Sequence, residues 1–343
     1  MSDFLNASFF SRKISLFWFL IITVFFVGAG FYVLEHRPKE IQIVTQSSDC
    51  PTYMNQIRLS SGYTFIHPLL LTDLTTEDSR LLAVKSNIEQ FISQKKREGV
   101  LTGISVYLRE LDEGGWMAIY PDETYIPASL QKLTIMMSYI KDVEHNHALL
   151  DKKLYFDRHF ENLPSQNIKV FSLKERQYYT VKDLLQYMIA YSDNDALNVL
   201  YQNMNNETYA KLFTDVQLPV PNLETDDYRV TVKDFTKFFR MLYSATYYDQ
   251  PALSEYALKL LSESTYKEGM CKNLDPSITV AHKFGERVLG EERQLHEIGI
   301  VYLKDHPYLL GIMTKGHDFK QLADVLSGIS DIVYAEMKPP LVN

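Results

Sequence analysis

The sequence predicts an α/β protein of the α+β kind: an antiparallel sheet flanked by helices, an all-helical subdomain inserted into it, and one N-terminal transmembrane helix. Three observations carry this. Two strand patterns near residues 100–121 and three near 278–314 leave a helical middle of about 129–270 between them, so one sheet draws on both ends of the domain. The run Ile14–Leu34 has no charge, and its 21 residues match a bilayer core of roughly 30 Å. A chain of 343 residues that is 46% hydrophobic has core enough for such a domain and is not disordered as a whole.

From the N-terminus, residues 1–13 read as a cytoplasmic stub, because Arg12 and Lys13 directly precede the apolar run and positive charge stays inside. A cleaved signal peptide is the rival reading, with Gly28-Ala29-Gly30 as the small residues, but the run exceeds the usual h-region. Residues 35–75, with Pro38, Pro51 and Pro68 and no periodicity, read as a tether. This places the body, residues 76–340, on the extracytoplasmic side of a single-pass membrane protein.

Within the body, apolar spacing predicts a helix over Thr76–Lys96, then strands Ile104–Leu111 and Trp116–Tyr120 around the turn Asp112-Glu113-Gly114-Gly115. A helix starts near Ser129. Thr180…Asp183 and Thr231…Asp234 have capping-box spacing, opening helices Val181–Tyr191 and Val232–Tyr243. Strands Ile278–Phe284, Glu297–Tyr302 and Tyr308–Met313 follow, with a turn at Asp305-His306-Pro307, and the helix Phe319–Met337 closes the domain.

The net charge of −8 offers no basic surplus for displacing counterions from phosphates, so a nucleic-acid partner is not expected. Two cysteines exclude a disulfide scaffold, and whether Cys50 and Cys271 pair stays open. His145 and His147 have no Cys or carboxylate at zinc spacing except Glu144 and Asp151, and no Walker or dinucleotide fingerprint occurs, so neither metal nor cofactor is expected. The tyrosines Tyr178, Tyr179, Tyr187 and Tyr191 read as packing residues rather than a sugar platform.

Three places carry chemistry. Ser129 and Lys132 are three apart on a helix, so the ammonium can approach a hydroxyl that needs a proton acceptor to become a nucleophile. Ser93-x-x-Lys96 and Ser264-x-x-Lys267 share that spacing, but only Ser129 opens an apolar helix after a loop. Ser192-Asp193-Asn194 follows a predicted helix; it reads either as a helix N-cap or as a loop presenting a hydroxyl and an amide. His282-Lys283-Phe284-Gly285-Glu286 ends a predicted strand, with a cation beside bare backbone.

In this order, and with the surrounding segments PASLQKL, YSDNDALNVL, VAHKFGE and EIGIVYLKDHPYLLGIMTKG, residues 70–340 resemble the class A β-lactamase-like family of penicillin-recognising serine hydrolases. The resemblance implies a β-lactamase/transpeptidase-like fold with Ser129 as acyl-accepting nucleophile, Lys132 adjusting its proton and Ser192 relaying a proton to the leaving nitrogen. Asn194 then binds the substrate amide, Lys283 and Gly285 face the substrate carboxylate, and the backbone N–H groups of Ser129 and Glu286 make an oxyanion hole. The implied substrate is a β-lactam or a peptidoglycan-peptide-like small molecule, and the protein is expected to be a monomer.

Two departures qualify this. Phe284 stands where the family carries Thr or Ser, which removes a hydrogen bond to a substrate carboxylate or marks a different substrate. The family's deacylating Glu falls at an offset that lands near Tyr228, and 37 residues from Asn194 to Thr231 leave the loop short by about a dozen. Glu224, Asp226 and Asp227 are the nearby acids, readable equally as a solvated turn before a helix. The alternatives are therefore a D,D-peptidase-like penicillin-binding protein with slow deacylation, a non-catalytic cell-wall-binding relative, or a general esterase.

Overall fold

A computed structural model describes residues 41–43, 57–59, 64–66, 76–160, 171–222, 225, 227–304 and 306–338. The apolar run Ile14–Leu34, Cys50, Glu224 and Asp226 lie outside these residues. Among the described residues no helix is long and apolar enough to cross a membrane.

The domain is built on an antiparallel five-stranded sheet, ordered β2-β1-β9-β8-β7, with β1 (Leu101–Glu110), β2 (Trp116–Ile119), β7 (Val280–Leu289), β8 (Glu292–Val301) and β9 (Tyr308–Gly316). Early and late strands do share one sheet: β1 pairs with β9 through Val106↔Ile312 and its neighbours. The hairpin β7–β8 is longer than its hydrophobic pattern predicts, running through the polar stretch Glu286–Gln294 around a turn at Gly290, whose φ is +60°. Ladder pairing carries this end of the hairpin, and its charged side chains hide it from a reading based on alternation.

Alternation along the strands separates two cores. Ile104, Val106, Leu108, Leu310 and Ile312 join Val84, Ile88 and Ile92 of α1 (Leu82–Arg97) and Val325, Leu326 and Ile329 of α8 (Phe319–Met337). Helix α1 starts later than predicted, after a 3-10 turn at Ser79–Leu81 capped by the Asp78 carboxylate, which accepts from Arg80 N–H at 2.9 Å. The opposite core takes Tyr107, Ile298, Leu309 and Met313 together with the helical subdomain.

In that subdomain, α3 (Val181–Ala190) opens on a closed capping box: Thr180 Oγ1 accepts from Asp183 N–H at 3.0 Å, and Asp183 Oδ2 accepts from Thr180 N–H at 3.1 Å. Helix α6 (Val232–Tyr243) is capped by Thr231 and buries Phe235, Phe238 and Phe239 completely, each contributing roughly 2–3 kcal/mol of transfer free energy. Helix α2 (Lys132–Val143) buries nearly every side chain it has, Lys132 included. That total burial, rather than a one-sided amphipathic pattern, sets up the chemistry below.

One stretch assigned to the tether is fastened to the body. Thr64 and Phe65 donate their N–H groups to the two oxygens of Glu255 at 2.9 and 2.7 Å, the Tyr302 hydroxyl donates to Phe65 O at 2.9 Å, and Ile66 is fully buried.

Candidate active site

Ser129 lies in a 3-10 turn, Ala128–Gln131, rather than at the start of an α-helix; the α-helix begins at Lys132. Pro127 and a left-handed Ala128 (φ 49°) force this tight entry. Lys132 N–H donates to Ser129 O, which sets the two residues one tight turn apart. Ser129 itself is half-buried. By contrast Ser93 and Lys96 are exposed on α1.

Lys132 reaches across to the turn between α3 and α4 (Asn194–Gln202). Its Nζ donates to Ser192 O, to Ser192 Oγ at 3.1 Å and to Asn194 Oδ1 at 2.7 Å. The residues of Ser192-Asp193-Asn194 divide between a cap and contacts to Lys132. Asp193 is the N-cap, its carboxylate accepting from Ala196 N–H at 2.7 Å, while a left-handed Ser192 (φ 55°) turns toward the lysines.

Lys283 arrives at the same hydroxyl from the sheet. Its Nζ donates to Ser192 Oγ at 2.9 Å and to Phe284 O at 3.0 Å. Gly285, next on the same face, lets β7 press against the serine turn: a Cβ there would lie 2.6 Å from Pro127 O and 3.2 Å from Ser129 N. The Phe284 ring lies under Lys283 Nζ, 4.2 Å from the ring centroid. It is 4% exposed and stacks on Tyr266 at 4.3 Å, so the ring is held between that core and the lysine of the site.

Two lysines on one hydroxyl make the electrostatics unusual. Burial drives the Lys132 ammonium down to about 7, against the opposing pull of Asp193 and Glu286. Burial, then the neighbouring Lys132 charge, pushes Lys283 well below the ordinary lysine range. A neutral amine at Lys132 can accept a proton. These groups, two amines with a hydroxyl and an amide, suit an anion and an acyl transfer rather than a cation.

Two residues escaped the sequence reading. His296 Nε2 donates to Ile126 O at 3.1 Å while its Nδ1 accepts from Thr314 N–H at 3.2 Å, and Gln294 Oε1 accepts from Ile126 N–H at 3.3 Å. Burial lowers His296 to about 3, so it stays neutral and holds the strand leading into the serine turn. No motif marks either residue; only the register of β8 against that turn reveals them. Of the nearby acids, Asp227 is exposed and accepts from the Thr225 hydroxyl. Around Ser192 the tyrosines form a chain of rings, Tyr179–Tyr187 at 6.0 Å, Tyr187–Tyr191 at 5.4 Å and Tyr191–Phe171 at 4.7 Å. Tyr178, which pairs with Tyr155 at 5.0 Å, is 67% exposed.

Residues 83–337 match the family model described as the β-lactamase enzyme family. The chain belongs to that family. Its fold is that of the class A serine hydrolases: TLA-1 extended-spectrum β-lactamase superposes with a TM-score of 0.64 at 14% identity, covering 76% of this chain and 100% of that one. A class A β-lactamase from Bacteroides cellulosilyticus gives 0.62 at 17%, covering 74% and 98%. A point mutant of PBP-A, an acyl-enzyme complex with penicillin G, gives 0.63 at 20%, covering 74% and 96%. At these identities the likeness is one of fold. A comparison with curated protein sequences finds no match. Membership in the family fits a constellation in which both lysines, the Ser192 hydroxyl and the Asn194 amide meet beside a serine turn.

Proposed function

We propose that this protein is a serine hydrolase that opens β-lactams or related amides through an acyl-enzyme on Ser129. In this reading it is a monomer without a cofactor, held by the Ile14–Leu34 run with its body on the extracytoplasmic side. The observation that carries the reaction is the convergence of Lys132 and Lys283 on Ser192 Oγ, at 3.1 and 2.9 Å, one tight turn from Ser129.

The steps follow from protonation. Neutral Lys132 takes the Ser129 proton as the hydroxyl attacks the substrate carbonyl. The backbone N–H groups of Ser129 and Glu286 bind the oxyanion, and Gly285 permits the approach that brings them together. Ser192, bonded to both lysines, passes a proton to the leaving nitrogen. Asn194 binds the substrate amide. A substrate carboxylate beside Lys283 favours its charged form and restores the proton that burial had displaced.

A second reading concerns the lifetime of the adduct. Asp227 faces solvent and is engaged with Thr225, which favours slow deacylation and a D,D-peptidase-like, penicillin-binding behaviour. Intact mass spectrometry of the protein mixed with penicillin G tests both readings. A persistent adduct on Ser129 supports slow deacylation, and a transient one with steady substrate loss supports β-lactamase turnover. No adduct on Ser129 at all would move the assignment to an esterase or a binding protein.

The acylation rate is expected to rise with pH through about 7, where Lys132 loses its proton. Because burial lowers this group, the active neutral form predominates above that point and falls about tenfold per pH unit below it. Stopped-flow acylation by a chromogenic cephalosporin measures this. A rate that stays flat from about pH 5 to pH 9 would remove Lys132 as the base.

A further inference from the structure

Successive residues of a strand face opposite sides of the sheet, so His282 lies across β7 from Lys283, on the face covered by α8. There it forms a relay on the face opposite Lys283, and the Glu297 charge is the relay's influence on that lysine. Cys271 Sγ is 3.6 Å from His282 Nε2, and His282 Nδ1 is 2.6 Å from Glu297 Oε1. The other carboxylate oxygen, Glu297 Oε2, accepts from Met270 N–H at 2.7 Å, the residue before the cysteine. His282 and Glu297 are fully buried, whereas Cys271 is a free thiol and partly exposed.

The fold makes room for this trio at two glycines. A Cβ on Gly299, the ladder partner of His282, would lie 2.5 Å from the His282 Cβ, and one on Gly269 would collide with Glu297 Oε2. Two polar side chains inside a sheet core, His282 and Glu297, are costly unless they are satisfied, and here each is aimed at the next member of the trio. The Cys271 and Glu297 partners outweigh the effect of burial and lift His282 to about 9, so the ring faces the sulfur as an imidazolium at neutral pH. A metal centre fits less well. The three ligand atoms lie within 4.8 Å of one another, but the Glu297 oxygens already accept from Met270 N–H and face His282 Nδ1, and a closed zinc site needs a fourth ligand.

We propose that Cys271, His282 and Glu297 form a second reactive centre, an activated thiol that reduces small hydroperoxides. The order is nucleophile, imidazolium and orienting carboxylate, which sets a positive charge beside the sulfur. In the thiolate–imidazolium form of the pair the shared proton rests on His282 Nε2, and the sulfur attacks one oxygen of hydrogen peroxide. An S–O bond forms as the O–O bond breaks, and the departing oxygen takes the proton from Nε2 to leave as water. Cys271 is oxidised to the sulfenic acid and the peroxide is reduced. The proposal does not depend on the Ser129 reading.

The test uses the full chain carrying Cys50→Ser, followed by intact mass spectrometry at pH 7. Iodoacetamide should label Cys271 at least about tenfold faster than it labels glutathione, and hydrogen peroxide should produce a sulfenic acid that dimedone traps. Glu297→Gln should bring the labelling rate down to that of glutathione, with thermal melting reporting that the variant is folded. Labelling no faster than glutathione would overturn the proposal, and this comparison needs no variant. So would an unchanged rate in folded Glu297→Gln, or one equivalent of zinc protecting Cys271, which would mark a metal site instead.

Discussion

Ser129→Ala is expected to abolish covalent labelling by penicillin G, with acylation falling on the order of 10⁶-fold, as when other serine hydrolases lose their nucleophile. The substitution removes a half-buried hydroxyl from a 3-10 turn whose backbone already places Lys132, so the melting temperature should barely move. Ser192 is the other hydroxyl at the site, but its Oγ accepts from both lysines and it is 1% exposed. It is therefore placed to relay a proton rather than to attack. Peptide mapping after exposure to penicillin G checks this directly: an adduct on Ser129→Ala protein at Ser192 would exchange the roles of the two serines.

Gly285→Ala is expected to damage the site without touching any group that transfers a proton. The added methyl would lie 2.6 Å from Pro127 O, a backbone atom that cannot swing aside as a side-chain end can. Either β7 or the serine turn must retreat, and a displacement near 1 Å costs about 10²-fold in rate when nucleophile and oxyanion donors must be aligned. Overpacking of this kind also destabilises by about 1–3 kcal/mol. Single-turnover acylation together with denaturant melts separates the two effects. A variant that acylates at the parental rate would show that close approach of β7 to the Ser129 turn is irrelevant to the reaction.

The order of elements was legible because each left a pattern of its own. The bounds of α6 and α8 come out as Val232–Tyr243 and Phe319–Met337, as read from the Thr231 cap and the apolar spacing. Less of the hairpin β7–β8 was visible, because Glu286, Arg287, Glu291, Glu292 and Arg293 carry charge through a region held by ladder bonds. The start of α2 was displaced by the left-handed Ala128, a backbone state with no signal in an alanine.

At the site, Ser129, Lys132, Ser192, Asn194 and Lys283 were legible as types at suggestive intervals, and the fold brings Lys132, Ser192, Asn194 and Lys283 into one hydrogen-bonded set. The meaning of Phe284 was not, because its packing on Tyr266 and under Lys283 Nζ depends on the fold around β7. His296, Gln294 and the Cys271–His282–Glu297 relay were equally hidden. They depend on which residues face each other across β7 and β8, and register is a property of pairing rather than of either strand alone.

The backbone at Ala128 and Ser192 has a consequence for anyone wishing to make this protein more heat-resistant. Both side-chain-bearing residues occupy left-handed conformations, at φ 49° and 55°. Glycine would relieve about 1–2 kcal/mol of crowding at each, partly offset by its greater freedom in the unfolded chain. At position 128 that exchange removes only a methyl. At position 192 it removes the hydroxyl on which both lysines converge, so the same engineering step that toughens the fold at one end of the site disarms it at the other.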